Sequence, residues 1–261
     1  MDYLESILLG VIQGLTEFLP ISSSGHLEIS KAILGNTLSN QESLLFTIVL
    51  HSATAFSTIF FFRKDLLNIF KGIFLKNYNE SHDFSISILI SMIPAVLVGL
   101  FFEEAINSLF DGNLILVGSM LYITALLLFL SDFLKLKKNE ISFKNSFLIG
   151  LSQAIAILPG ISRSGATIAS AVILGIEREQ AARFSFIMVI PLILGSMVKS
   201  ILDHGMSFEN FDLISLILGF LSAFITGLFA CKWMILLVKK SKLYYFSIYC
   251  CIVGSIIIYY S

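Results

Sequence analysis

Six stretches of this chain, near 44–62, 84–102, 114–131, 184–202, 212–231 and 243–260, are long apolar runs. Each approaches or reaches the ~20 residues that a helix needs to cross a ~30 Å hydrocarbon core. Only 13% of the residues are charged and 56% are hydrophobic, whereas a soluble domain carries about 25% charged residues. These features point to an all-α polytopic membrane protein rather than a soluble domain. The net charge of −1 offers no basic surface to nucleic acid. Cys231, Cys250 and Cys251 lie in apolar segments without metal-ligand or Cys-x-x-Cys spacing, so they read as small hydrophobes. The opening "MDYLES" has no basic stretch and no small-residue cleavage site behind it, and does not read as a secretory signal.

The chain also repeats itself. Residues 8–35 written over 148–175 match at one constant offset: Gly10 falls on Gly150, Gln13 on Gln153, and Ile21, Ser22, Ser24 and Gly25 on Ile161, Ser162, Ser164 and Gly165. Ser30 falls on Ser170, and Ile33, Leu34 and Gly35 on Ile173, Leu174 and Gly175. The chain reads as two halves, 1–131 and 140–261.

Loop charges orient those halves. The loops 63–83, 132–145 and 232–242 hold Arg63, Lys64, Lys71, Lys76, Lys135, Lys137, Lys138, Lys144, Lys232, Lys239, Lys240 and Lys242. The loops 36–43, 103–113 and 203–211 hold no Lys or Arg but carry Glu42, Glu103, Glu104, Asp111, Asp203 and Glu209. The positive-inside rule puts the first set in the cytoplasm and the second outside. The run 184–202 then starts inside, at "EREQAAR", so the segment 146–176 enters and leaves on one side. It reads as a re-entrant hairpin with arms near 146–158 and 166–176. At ~1.5 Å per residue each arm covers roughly 16–20 Å, about half the core. The same logic makes 1–35 a hairpin entering from outside. The expected architecture is two inverted-topology repeats, each one hairpin plus three spans, with six full spans and both termini outside. Re-entrant backbone is tolerated only in protein or beside a water-filled cavity, so the tips "PISSSG" and "PGISRSG" are expected to close one polar pocket.

The residues at the tips suit an anion. Each tip opens a helical arm whose first N–H groups lack partners and whose dipole is positive there. Gly25 and Gly165 let backbone approach a ligand. Ser22, Ser23, Ser24, Ser162 and Ser164 supply hydroxyls, although serines also cap helices. Arg163 presents a planar fork that matches phosphate, and an unpaired charge at midplane depth costs about 2.5–3.5 kcal/mol or more. Gln13 and Glu17 share one helix face, and His26 lies just past the first tip. A carboxylate, an imidazole and hydroxyls facing an arginine suggest acid–base or metal-assisted phosphoryl chemistry. The plainer alternatives are that Glu17 only neutralises Arg163 and that His26 caps a helix. His51 is expected near the outer surface rather than in the pocket. Glu28 and Lys31 read as a surface pair or a pocket rim, and His82 and His204 as loop residues.

The segments "QGLTEFLPISSSGH" (Gln13 to His26) and "PGISRSGAT" (Pro159 to Thr167), with "SMIPAVLVGLFF" (Ser91 to Phe102) between them, resemble the signatures of the bacterial undecaprenyl-diphosphate phosphatases of the bacitracin-resistance type. The resemblance covers essentially the whole chain. It implies hydrolysis of undecaprenyl diphosphate to undecaprenyl phosphate and phosphate, which recycles the lipid carrier for cell-wall polymers. It also implies work at the outer face of the cytoplasmic membrane and a divalent cation, Mg or Ca, placed on Glu17. The family's motif serine, histidine and arginine fall on Ser23, His26 and Arg163. Its first motif has Glu or Gln followed by Glu, here Gln13 and Glu17, so this chain brings one carboxylate rather than two. Catalytic roles are expected for Glu17, Ser23, His26 and Arg163, with Ser23 or a water as nucleophile. Phosphate binding is expected from Gln13, Ser22, Ser24, Gly25, Ser162, Ser164 and Gly165. The expected partners are the polyprenyl diphosphate and membrane lipid, and the sequence is compatible with a homodimer. A transporter of the same lipid phosphate is the rival reading, because opposed broken helices also build transporters. A lipid-holding protein without chemistry is a third.

Overall fold

A computed structural model describes residues 2–35, 40–109, 113–133, 139–204, 212–239 and 243–261. Its helices are α1 (Tyr3–Phe18), α2 (Ser23–Ile33), α3 (Asn40–Phe61), α4 (Arg63–Ile73), α5 (Glu80–Phe101), α6 (Glu103–Ser108), α7 (Leu114–Phe133), α8 (Phe143–Ile155), α9 (Arg163–Ile173), α10 (Arg178–His204), α11 (Leu213–Lys239) and α12 (Tyr244–Tyr260). No strand occurs among the described residues; one isolated bridge joins Asn139 and Ile176. The loop charges Lys135, Lys137, Lys138, Asp111, Glu209, Lys240 and Lys242, and the side chains of Glu103, Asp203 and His204, lie outside the described residues.

Among the described residues five helices are long and apolar enough to cross a membrane: Glu42–Phe61, Glu80–Phe101, Leu114–Phe133, Arg178–Leu202 and Leu213–Lys239. The sixth expected span, α12, is apolar but only 17 residues long, about 26 Å of helix. Side chains such as Leu126, Phe129, Ile225, Phe229 and Ile252 are exposed on the flanks of these helices, the surface a lipid-facing protein presents. This is a multi-pass membrane protein.

Two expectations about loops need correction. α10 begins at Arg178 and α11 runs on to Lys239, so most of "EREQAAR" and Lys232 are helical. A helix is held by its own backbone hydrogen bonds and need not stop where the hydrocarbon stops, while Lys and Arg stems keep their charges in water. The loop 63–83 also contains α4, where Arg63, Lys64, Asp65 and Lys71 alternate with exposed Leu67 and Phe70. That pattern suits a helix lying along a membrane surface.

Polar contacts gather several helix ends together. Arg178 donates to Asp132 at 2.6 Å, and the Tyr244 N–H donates to the other oxygen of the same carboxylate at 2.7 Å. Lys239 pairs with Glu179 at 2.9 Å and Arg183 with Asp65 at 2.6 Å. Just before α8, the Asn139 N–H donates to Gly175 O and its side chain to Leu174 O, at 2.9 and 2.7 Å, just after α9. The start of α8 and the finish of α9 therefore lie at one end of the bundle, beside the end of α7 and the starts of α10 and α12.

Small residues let the broken helices pack closely on their neighbours, as in membrane proteins generally. A Cβ added at Gly10 on α1 would fall 2.5 Å from Gly219 O on α11, and one at Gly150 on α8 would fall 2.3 Å from Ser91 O on α5. Gly150→Ala must therefore push two backbones apart. We expect it to cost about 1–3 kcal/mol, the range for overpacking, seen as a lower melting temperature in detergent. An unchanged melting temperature would show that α5 and α8 separate freely.

Candidate active site

The two tips form where the sequence stops its helices. Leu19 ends α1 in an extended conformation, φ −70° and ψ 141°, because the residue before a proline is pushed out of the helical region and Pro20 has no N–H to continue the ladder. In the second tip the Ile161 N–H donates to Leu158 O at 3.1 Å, and Gly160 takes φ +96°, a turn suited to Pro159 and Gly160 at its centre. The repeat places Pro20 where the second tip has Gly160. A proline ring excludes positive φ, so the first tip turns differently. The Ile21 N–H donates to Leu19 O at 2.8 Å, and Ser22 takes φ +70°, the only positive-φ residue besides glycines among the described residues. Such a conformation costs about 1–3 kcal/mol.

The new helices are capped in parallel fashion. Ser22 Oγ accepts from the Gly25 N–H at 3.2 Å, and Ser162 Oγ accepts from the Gly165 N–H at 3.0 Å. Ser24 Oγ lies 3.4 Å from Ser22 Oγ, and Ser164 Oγ lies 3.3 Å from Ser162 Oγ. Each cap uses one of the four orphan N–H groups of its helix. The close approach that the glycines allow is between the tips themselves. A Cβ at Gly25 would come to 3.3 Å of Gly160 Cα, and one at Gly165 to 3.3 Å of Pro20 Cβ. Ser164 Oγ donates to Leu19 O at 3.2 Å across the same junction. On α7, Thr124 Oγ1 accepts from the Ser162 N–H at 2.9 Å and donates to Gly160 O at 3.1 Å, fixing the second tip.

Glu17 sits at the centre, 6% exposed. Arg163 Nη2 donates to its Oε1. Ser23 Oγ and Gln13 Nε2 both donate to its Oε2, at 2.7 and 2.9 Å. One carboxylate thus bridges a hydroxyl from the first tip and a guanidinium from the second. Two buried polar atoms around it have no partner among the described residues: Arg163 Nη1 and Gln13 Oε1. Leaving such atoms unsatisfied costs about 1–3 kcal/mol each, more for a charged group, so this is a place built to receive further polar atoms.

His26 stands apart from this carboxylate. Its Nδ1 lies 2.8 Å from Ser22 O and its Nε2 lies 2.8 Å from Tyr249 OH, on α12. One residue that sequence reasoning placed elsewhere also approaches this carboxylate. His51, expected near the outer surface, has Nε2 3.8 Å from Glu17 Oε2, with Nδ1 donating to Thr47 O at 2.9 Å. Its signal was the spacing Ser43, Thr47, His51, one polar stripe along α3. Gln153, the repeat partner of Gln13, is 1% exposed, and neither end of its amide has a partner among the described residues. Glu28 and Lys31 pair at 3.2 Å, and Lys31 also donates to Ser43 at 2.8 Å and Thr47 at 3.3 Å. Their side chains are only 17% and 12% exposed, so the pair ties α2 to α3 more than it faces water.

Among the described residues no three His, Cys, Asp or Glu side chains are grouped so as to hold a metal ion. The oxygens present do fit a hard cation carried partly by its substrate, because Mg often takes one or two carboxylates plus phosphate oxygens. Gln13 Oε1 is a buried acceptor without a donor, next to Glu17.

A polytopic membrane protein with a buried carboxylate, guanidinium and hydroxyl where two helix breaks meet has the makings of an anion-handling centre. The chain belongs to the bacitracin resistance protein BacA family, whose model matches residues 6–256. It is similar to proteins named undecaprenyl-diphosphatase. One from Christiangramia forsetii is 57% identical over 254 residues, 97% of this chain and 96% of that protein. One from Bacteroides fragilis is 49% identical over 263 residues, 99% and 98% of the two chains. One from Methanobrevibacter smithii is 38% identical over 274 residues, 98% and 97%.

Proposed function

We infer that this protein is an undecaprenyl-diphosphate phosphatase, a membrane hydrolase that returns the lipid carrier to cell-wall synthesis and thereby confers bacitracin resistance. The single observation that carries the reading is the Glu17 carboxylate bridging Ser23 and Arg163, beside the partnerless Arg163 Nη1. The relatives' shared name supports undecaprenyl diphosphate as the substrate that this centre would act on. The lipid-phosphate transporter is not favoured.

The prenyl chain stays in lipid while the diphosphate enters between the tips. Arg163 Nη1 takes a terminal phosphate oxygen, and the free N–H groups of α2 and α9 take others. The hydroxyls of Ser22, Ser24, Ser162 and Ser164 shape that cradle. Ser23 Oγ, or a water in its place, attacks the terminal phosphorus. The bond from that phosphorus to the bridging oxygen breaks, and undecaprenyl phosphate leaves. The Ser23 proton passes to Glu17 Oε2, already 2.7 Å away. Where Ser23 attacks, water then cleaves the phosphoserine and releases phosphate. A divalent cation held by Glu17 and Gln13 would offset the charge of the diphosphate. Catalysis of this kind is mostly positioning and charge stabilisation. His26 reaches this centre only through Ser22, whose carbonyl lies 2.8 Å from its Nδ1.

Two inverted repeats, 1–131 and 140–261, make up one membrane domain in this reading, with six spans, two re-entrant hairpins and the active site open to the outer face of the cytoplasmic membrane. Three observations support it. The start of α8 and the finish of α9 are joined through Asn139, Gly175 and Leu174. The tips touch by exchange, Gly25 near Gly160 and Pro20 near Gly165, as a two-fold relation requires. The ends gathered there carry Lys144, Arg178, Arg183 and Lys239, the cytoplasmic signature. In a background without native cysteines, Lys76→Cys should resist an impermeant thiol reagent in intact cells and Asn113→Cys should react. The reverse pattern would invert the topology.

Purified protein in detergent, given undecaprenyl diphosphate, should release free phosphate. Detergent removes sidedness, so a transporter or a lipid-holding protein would release none. In that assay Arg163→Lys should lose about a hundredfold or more in turnover although the charge is kept, because an ammonium cannot hold Glu17 and a phosphate in one planar fork. Near-wild-type turnover would reduce Arg163 to a counter-charge.

A further inference from the structure

The two tips differ in one respect that involves His26. The second tip turns at Gly160, φ +96°, and has Ala166 where the repeat places His26. The first tip has Pro20 in place of that glycine, carries the turn on Ser22 at φ +70°, and has His26 instead of Ala166. The imidazole thus occurs in the half that lacks the permissive glycine. It also contacts the residue that carries the turn. The His26 backbone N–H donates to Ser22 O at 3.1 Å, and Nδ1 lies 2.8 Å from the same oxygen. A carbonyl only accepts, so Nδ1 carries the proton. In the neutral ring Nε2 is then an acceptor, and Tyr249 donates its O–H there at 2.8 Å. The two rings also stack, with centroids 5.7 Å apart and planes 12° apart. Both nitrogens are occupied, and neither faces Glu17.

We propose that His26 and Tyr249 are a positioning pair, not a proton-exchanging one. Resting on the phosphatase reading, this assigns them to holding Ser22 O, and through it the left-handed Ser22. Ser22 must keep that conformation for its Oγ to cap α2 at the Gly25 N–H and for Ser23, the next residue, to set its hydroxyl 2.7 Å from Glu17. Tyr249 fixes the ring's tautomer and plane from α12. His26 acts on the reaction only through the position of Ser23.

The test compares His26→Asn, His26→Gln and His26→Ala, each with Ser22 intact and with Ser22→Gly. Turnover, KM, pH dependence of phosphate release and melting temperature in detergent are read for all. An Asn amide can put an N–H where Nδ1 stands, whereas Gln reaches the Nε2 position. His26→Asn should keep turnover within about tenfold of wild type with an unchanged pH profile, and His26→Ala and His26→Gln should fall further, because losing a correctly held group costs on the order of a hundredfold. Ser22→Gly should recover turnover in the His26→Ala background, since glycine adopts positive φ without a strut. Ser22→Gly gives up the cap at the Gly25 N–H in both backgrounds, so its effect on the melting temperature should be less unfavourable in the His26→Ala background than in the wild type, a coupling that reads the strut even without turnover. Tyr249→Phe should lower turnover a fewfold and leave KM unchanged. The proposal is overturned if His26→Asn is as inactive as His26→Ala, if one limb of the pH profile disappears with the imidazole, or if Ser22→Gly shows no coupling to position 26. Phosphate release by the wild type in the same assay judges the phosphatase reading separately.

Discussion

Ser23→Ala should drop turnover by more than about a hundredfold, the scale of losing a group that acts directly in the transition state. Ser22, Ser23 and Ser24 are alike by type, but the repeat and the structure separate them. Ser22 matches Ser162 and both cap a helix, while Ser24 matches Ser164 and both stand within 3.4 Å of the capping hydroxyl. Ser23 matches Arg163, so this one position differs in chemistry between the halves. Both residues meet the same carboxylate, Ser23 on Oε2 and Arg163 on Oε1. A phosphate entering between them would have a hydroxyl on one side and a charge clamp on the other. Ser22→Ala should mainly weaken binding or stability, at the ~0.5–2 kcal/mol typical of a lost cap, and Ser164→Ala should do so by losing its bond to Leu19 O. A phosphoserine trapped at position 23 would establish the covalent route. Turnover within a fewfold of wild type in Ser23→Ala would make water the attacking group.

Much of this centre is legible in the sequence, for physical reasons. A charged residue in an apolar chain is conspicuous because lipid penalises it, which singles out Arg163 and Glu17. Proline and glycine mark the helix breaks at Pro20 and Pro159–Gly160 because they act on the backbone itself. Spans are read from length and composition, so α3, α5, α7, α10 and α11 stand where the apolar runs lie, while their polar extensions and α4 do not announce themselves. What was not legible depends on three-dimensional pairing. His51 lies on a span from another part of the chain, and a lone histidine near a span's start looks the same at a pocket or at a surface. Tyr249 is one tyrosine among apolar neighbours, and only its hydroxyl's distance to His26 marks it. The strain at Ser22 follows from Pro20 standing opposite Gly160, but which residue absorbs it depends on the tip's full geometry.

Glu17→Gln should remove phosphate release almost entirely, a loss of about a thousandfold or more if charge stabilisation and proton transfer both go with it. The amide is nearly the same size, so packing is preserved. It cannot take the Ser23 proton, and its NH2 would face either the Arg163 guanidinium or the Ser23 and Gln13 donors that now point at the carboxylate. Gln13 cannot substitute, because an amide exchanges no proton. The most direct test is therefore phosphate release from undecaprenyl diphosphate by purified wild type and Glu17→Gln in the same detergent, with melting temperatures confirming that both are folded. A folded Glu17→Gln protein that releases no phosphate beside an active wild type is the predicted result. A Glu17→Gln protein that releases phosphate at the wild-type rate would contradict the assignment of Glu17, and with it the centre built around that carboxylate.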